Sequence, residues 1–158
     1  MATSTTDADG AGDGLSRLLT ESAEETMALG AMVGSGLRVG DCIGLMGGLG
    51  AGKTTMTRGI VLGARADAEV RSPTFLLHSI HPGPVTVHHF DLYRLPQDTD
   101  LRTLGLDEAL EGGAAVVEWP ERASSVWFNG WVHLTVVGDS KREVTLELPF
   151  SLGDSGRG

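Results

Sequence analysis

Gly47-Gly48-Leu49-Gly50-Ala51-Gly52-Lys53-Thr54 is the stretch from which the rest of the chain can be read. It has the form G-x-x-x-x-G-K-[ST], and each residue type in that form has a chemical reason. Glycines let the backbone curl so that successive N–H groups converge on a phosphate, and a following helix adds the positive end of its dipole. Lys53 is then set to reach β- and γ-phosphates as a point charge, with the Thr54 hydroxyl a ligand for Mg2+. The flanks suit this reading. Residues 41–46 form a short apolar run that predicts a buried strand, and residues 54–62 are helix-compatible with Gly63 as a stop. Lysine is scarce elsewhere: Lys141 is the only other one. The motif predicts binding of a nucleoside triphosphate with Mg2+.

Upstream, Ser22-Ala23-Glu24-Glu25 has the S-x-x-E form of a capping box. Leu29, Met32, Val33 and Leu37 follow at helical spacing, and Gly34, Gly36 and Gly40 loosen and end that helix. Downstream, residues 74–80 and 85–93 read as strands around the turn His81-Pro82-Gly83-Pro84. Residues 101–110 predict a helix through Leu101, Leu104 and Leu110, closed by Gly112-Gly113. Residues 114–117 predict a short continuous strand ending at Glu118. Two last strands, 131–137 and 143–148, flank Gly138-Asp139-Ser140. Strands alternating with helices predict one α/β domain over residues 15–150, a P-loop fold whose mixed, mostly parallel sheet is flanked by helices and closed by a C-terminal antiparallel hairpin. Residues 1–14, small, acidic and rich in Gly, Ala, Ser and Thr, predict a disordered tail, and 151–158 a second one.

A formal charge of −9 opposes direct attraction to nucleic acid, whose affinity rests on Lys and Arg at phosphates. If RNA is the ultimate substrate, a protein partner carries the grip. One cysteine, Cys42, excludes an intramolecular disulfide; it lies in an apolar run and reads as a buried thiol. A reducing, cytoplasmic setting is expected. No apolar run approaches the ~20 residues that cross a bilayer, and residues 1–14 lack the features of a secretory leader.

P-loop enzymes need an acidic residue at the end of a neighbouring apolar strand. Asp91 and Glu118 both qualify, and the cleaner apolar run leads to Glu118. Ser72-Pro73-Thr74 lies where switch segments sense a γ-phosphate. The only asparagine is Asn129, so there is no N-K-x-D segment to read guanine. The five histidines have no cysteines at zinc spacing, so no metal cluster is expected. His88 and His89, adjacent on a strand, face opposite sides and read as structural.

Residues 47–55 with Arg58-Gly59, then Ser72-Pro73-Thr74-Phe75, His89-Phe90-Asp91-Leu92-Tyr93-Arg94-Leu95 and Glu118-Trp119-Pro120-Glu121, resemble the TsaE family in order and spacing. That family comprises bacterial P-loop ATPases of tRNA threonylcarbamoyladenosine (t6A) synthesis, and the resemblance runs from about Ser22 to about Leu148. It implies an ATP-driven helper of the TsaD–TsaB heterodimer, which modifies adenosine 37 of tRNAs reading ANN codons. The resemblance also implies contact with tRNA only through that complex. Carried over by position, Gly48, Leu49, Gly50, Ala51, Gly52, Lys53, Thr54 and Thr55 would bind the phosphates of ATP or ADP. Thr54 and Glu118 would hold Mg2+, and Asp91 would orient water or the switch region. Trp119 would sit at the nucleotide site or partner surface, and Thr26 near the adenine. The catalytic set is thus Lys53, Asp91 and Glu118. Gly48 stands where the family usually has an acidic residue, and Pro96-Gln97-Asp98-Thr99-Asp100 where it has a Glu-rich turn. Two other functions fit the P-loop alone: a small-molecule kinase, though no Arg-rich lid segment is evident, and a non-catalytic nucleotide-sensing module.

Overall fold

The computed structural model describes residues 3–5, 15–67, 77–124 and 127–152. In chain order the elements are β1 (Thr3–Thr5), β2 (Leu15–Thr20), α1 (Ala23–Ser35), β3 (Cys42–Met46), α2 (Lys53–Gly63), β4 (His78–His81), β5 (Thr86–Asp91), α3 (Leu106–Gly112), β6 (Gly113–Glu118), β7 (Gly130–Val136) and β8 (Arg142–Glu147). The eight strands among the described residues join one sheet in the order β1-β2-β8-β7-β3-β6-β5-β4. The P-loop strand β3 lies between β7 and β6 and runs parallel to both, and β5 continues the parallel set beyond β6. β7 and β8 form the antiparallel hairpin, β2 adds to its far side, and β4 closes the other edge antiparallel to β5. Five of the eight strands (β2, β7, β3, β6, β5) therefore point one way.

A strand covered on both faces must be apolar throughout, and β3 is: Cys42, Ile43 and Leu45 have no exposed surface. Side chains alternate across the sheet. Ile43, Leu45, Val116, Val132 and Leu134 meet α1 and α2, while Cys42, Ala115, Val117 and Phe90 meet α3 and the turn of 3-10 helix at Leu101–Leu104. One core lies on each face.

α1 starts where the capping signal puts it. Ser22 Oγ accepts the Glu25 N–H at 3.1 Å, and the Glu25 carboxylate accepts from the Glu21 N–H at 2.9 Å. Its buried stripe differs from expectation. Leu29, Val33 and Leu37 point inward, but Met32 is 45% exposed, and Gly30 and Gly34 take the inward positions. A Cβ at Gly34 would lie 2.0 Å from the Ile60 carbonyl oxygen, and one at Gly63 1.9 Å from that of Ala31. The two helices touch backbone to backbone. Gly34 thus packs α1 inside its length and does not end it; Gly36 is the C-cap.

Other boundaries moved for local reasons. The helix expected over 101–110 is split at Gly105, whose φ of +89° ends the 3-10 turn and opens α3. β4 runs on to His81 before the turn, and the start of the strand expected at 74–80 lies outside the described residues. β2 was not anticipated. Of the tail expected at 1–14, Thr3–Thr5 pair with β2, and the remainder lies outside the described residues. Of 151–158, Leu152 packs against the core and 153–158 lie outside the described residues. No described helix is long and apolar enough to cross a membrane.

Candidate functional site

β3 delivers the chain to Met46, and α2 begins at Lys53, so the glycine-rich turn lies at the carboxyl edge of the parallel strands. The turn needs left-handed backbone at Gly50 (φ +76°) and at Gly52 (φ +105°), where an L side chain would be strained. Gly52 caps α2 without a side-chain acceptor, which leaves the first N–H groups of the helix for a ligand. The Lys53 ammonium donates to the carbonyls of Gly47 and Gly48, the latter at 3.3 Å, and sits 3.7 Å from the centroid of the Trp119 ring. Trp119 reaches that position from left-handed backbone directly after β6 (φ +57°, ψ +51°). Burial lowers the Lys53 pKa from its ordinary value, opposed by Glu118, Glu121 and Asp91.

Both candidate acids end strands beside β3. Glu118 closes β6 opposite Leu45 of β3, and Asp91 closes β5 opposite Glu118. Glu118 is 5% exposed. Its Oε2 lies 2.8 Å from His89 Nε2 and accepts from Thr57 Oγ1 at 3.4 Å. Among the described residues its Oε1 has no hydrogen-bond partner. Asp91 Oδ1 accepts the Tyr93 N–H at 3.1 Å. A buried carboxylate with one oxygen left over, near the exposed Thr54 at the head of the P-loop helix, is the hard oxygen donor set that Mg2+ prefers.

A cavity of about 440 Å³ gathers these groups: the turn from Gly48 to Gly52, then Lys53, Thr54, Thr55, Asp91, Tyr93, Glu118, Trp119 and Arg142. Its size is that of a small-molecule site. Every residue carried over from the resemblance but Thr26 lines it. Thr26 lines an adjoining cavity of about 250 Å³ that shares Gly52, Thr55 and Arg142 with the first and is bounded by Asp139 and Ser140. Its hydroxyl lies 2.8 Å from that of buried Thr20. Ser72-Pro73-Thr74 lies outside the described residues.

Three contributors were missed in the sequence. His89 does face away from His88, which bonds to His78 at 2.9 Å, and its Nε2 meets Glu118 Oε2 at 2.8 Å, a contact the sequence did not indicate. The available signal was its position two residues before Asp91, on the same strand face. Thr57 is three residues, one helical turn, beyond Thr54. Arg142 contacts the loop from 91 residues away, and no local pattern announces it.

Comparison with known proteins bears on this geometry. A family model described as threonylcarbamoyl adenosine biosynthesis protein TsaE matches residues 20–144. A Treponema pallidum protein named tRNA threonylcarbamoyladenosine biosynthesis protein TsaE is 37% identical over 133 residues, 82% of this chain and 98% of that one. A Mycobacterium tuberculosis protein of the same name is 39% identical over 108 residues, 62% of this chain and 64% of that protein. A crystal structure of Bacillus subtilis YdiB superposes with a TM-score of 0.66 at 30% identity, covering 84% of each chain. The fold is of that α/β P-loop kind.

Proposed function

The chain belongs to the TsaE family, and on that premise we propose that it is a Mg2+-dependent ATPase acting in formation of t6A on tRNA, as the helper of a TsaD–TsaB complex. The observation that carries the reading is the meeting of Lys53, Asp91 and Glu118 on one cavity at the carboxyl ends of β3, β5 and β6. Amides of the turn from Gly48 to Gly52 and the head of α2 bind the β-phosphate, and Lys53 binds the β- and γ-phosphates. An incoming polyphosphate competes with the Gly47 and Gly48 carbonyls for the Lys53 ammonium. Thr54 and Glu118 would hold Mg2+, which neutralises charge on the phosphate oxygens when bound. His89 and Thr57 fix the Glu118 carboxylate. Asp91 orients the attacking water. Trp119 walls the phosphate end, and the adjoining cavity at Thr26 takes the nucleoside.

The net charge of −9 fits a protein that docks on another protein and leaves RNA contact to it. The test pairs calorimetric titration of ADP with phosphate release from ATP, for wild type and Lys53→Ala, alone and with TsaD–TsaB. The proposal expects slow hydrolysis alone, a changed rate with the complex, and no detectable nucleotide binding by Lys53→Ala. Normal hydrolysis by Lys53→Ala would overturn the site.

A further inference from the structure

We propose that Arg142 is a positioning residue of the phosphate cradle, holding the crest of the P-loop in shape from the first position of β8. The proposal rests on the nucleotide reading above and deepens it. Arg142 Nε donates to the Ala51 carbonyl at 3.0 Å and Nη2 to the Gly50 carbonyl at 3.2 Å. Nη1 turns the other way, to the carbonyls of Lys141 at 3.0 Å, Gly138 at 3.3 Å and Asp139 at 3.4 Å. One guanidinium therefore joins the P-loop to the β7–β8 turn, and all of its partners are backbone carbonyls. Among the described residues no carboxylate pairs with it, and it lines both cavities.

The crest needs such a support, because it has little packing of its own. A Cβ at Gly48 or Gly50 would meet nothing within 4 Å, and Leu49 between them is 72% exposed. In a trans peptide the C=O of one residue and the N–H of the next point in opposite directions. Drawing the Gly50 and Ala51 carbonyls towards Arg142 therefore turns the Ala51 and Gly52 N–H groups away from it. Ala51 N–H closes the turn onto the Gly48 carbonyl at 3.2 Å, leaving the Gly52 N–H for an anion. Lys53 steadies Gly47 and Gly48 in the same manner. A bound polyphosphate draws the lysine off those carbonyls, whereas Arg142 keeps its hold on the opposite side of the loop. Arg142 works through the backbone; Lys53 works on the ligand.

The fork is what matters, since a lysine keeps the charge and loses the paired donors. The test titrates ADP and AMP calorimetrically into wild type, Arg142→Lys and Arg142→Gln, with thermal unfolding as the check that each is folded. ADP affinity is expected to fall about 10- to 100-fold in both variants, the scale of losing hydrogen bonds from a charged group. AMP, which has no β-phosphate, is expected to change by less than about threefold on the same scale. Wild-type ADP affinity in Arg142→Lys would overturn the proposal, because charge alone would then suffice. An equal loss for ADP and AMP would also overturn it, as the mark of a general structural role. Failure of the wild type itself to bind ADP is a separate result, and it strikes the nucleotide reading.

Discussion

Replacing Gly34 by alanine puts a methyl carbon 2.0 Å from the Ile60 carbonyl oxygen, 2.8 Å from its carbon and 2.9 Å from the Ala64 nitrogen. All three are backbone atoms, so no side chain can rotate out of the way. Carbon and oxygen reach ordinary contact at about 3.3 Å, so α1 and α2 must separate by roughly 1.3 Å. A gap of that order forfeits a quarter to a half or more of the dispersion energy between the facing groups, here Leu29 and Val33 against Met56 and Ile60. Overpacking costs about 1–3 kcal/mol and lies at its upper end where backbone meets backbone; the helix propensity of alanine returns ~1 kcal/mol. The expected net loss is about 2 kcal/mol, which lowers Tm by roughly 4–8 °C in a chain of this size. Urea unfolding should give a lower midpoint at unchanged slope. Gly112→Ala is the control: its methyl meets nothing within 4 Å, and its stability should be unchanged or slightly raised. A Gly34→Ala protein as stable as wild type would refute the backbone contact between the helices.

Three further outcomes follow from single residues. Burial pushes the Cys42 thiol up to about 12, so a thiol reagent at pH 8 should label it only on unfolding. An unfolded thiol ionises near pH ~8.5, so stability should fall as pH climbs from there towards 12; a stability flat over that window in wild type, or equal to Cys42→Ala, would contradict the assignment. Asn129 accepts the Cys42 N–H at 2.8 Å and donates to the buried Asp41 carboxylate at 2.9 Å. Asn129→Ala should therefore cost about 1–3 kcal/mol in urea unfolding, through the Cys42 N–H left unpaired and an Asp41 carboxylate that keeps only the Arg38 N–H, at 2.9 Å. Glu118→Gln keeps the shape and loses the charge; ATP should still bind, while phosphate release falls ~100-fold or more.

What could be read from the sequence was local. The eight residues 47–54 state their own backbone chemistry, and Ser22 with Glu25 states where α1 begins. Residues 114–117 are apolar at each position because β6 is covered on both faces, and that run leads directly to Glu118. The parts that escaped depend on distant partners. In Leu15–Thr20 only Leu18 and Thr20 are buried, a pattern that gains meaning only once β8 lies alongside. Gly34 reads as a helix breaker until α2 is seen against it. His89 and Arg142 acquire roles from contacts 29 and 91 residues away in sequence. Gly105 divides a helix that leucine spacing alone would run straight through.

The central claim, an ATP-dependent role in t6A formation, is tested most directly by reconstitution. The mixture holds TsaC, TsaD, TsaB, an ANN-decoding tRNA, threonine, bicarbonate and ATP, and t6A is read by mass spectrometry of nucleosides. This chain is omitted, added as wild type, or added as Lys53→Ala. The account predicts that the wild type alone restores multiple turnover. Equal t6A yields in all three mixtures would contradict it.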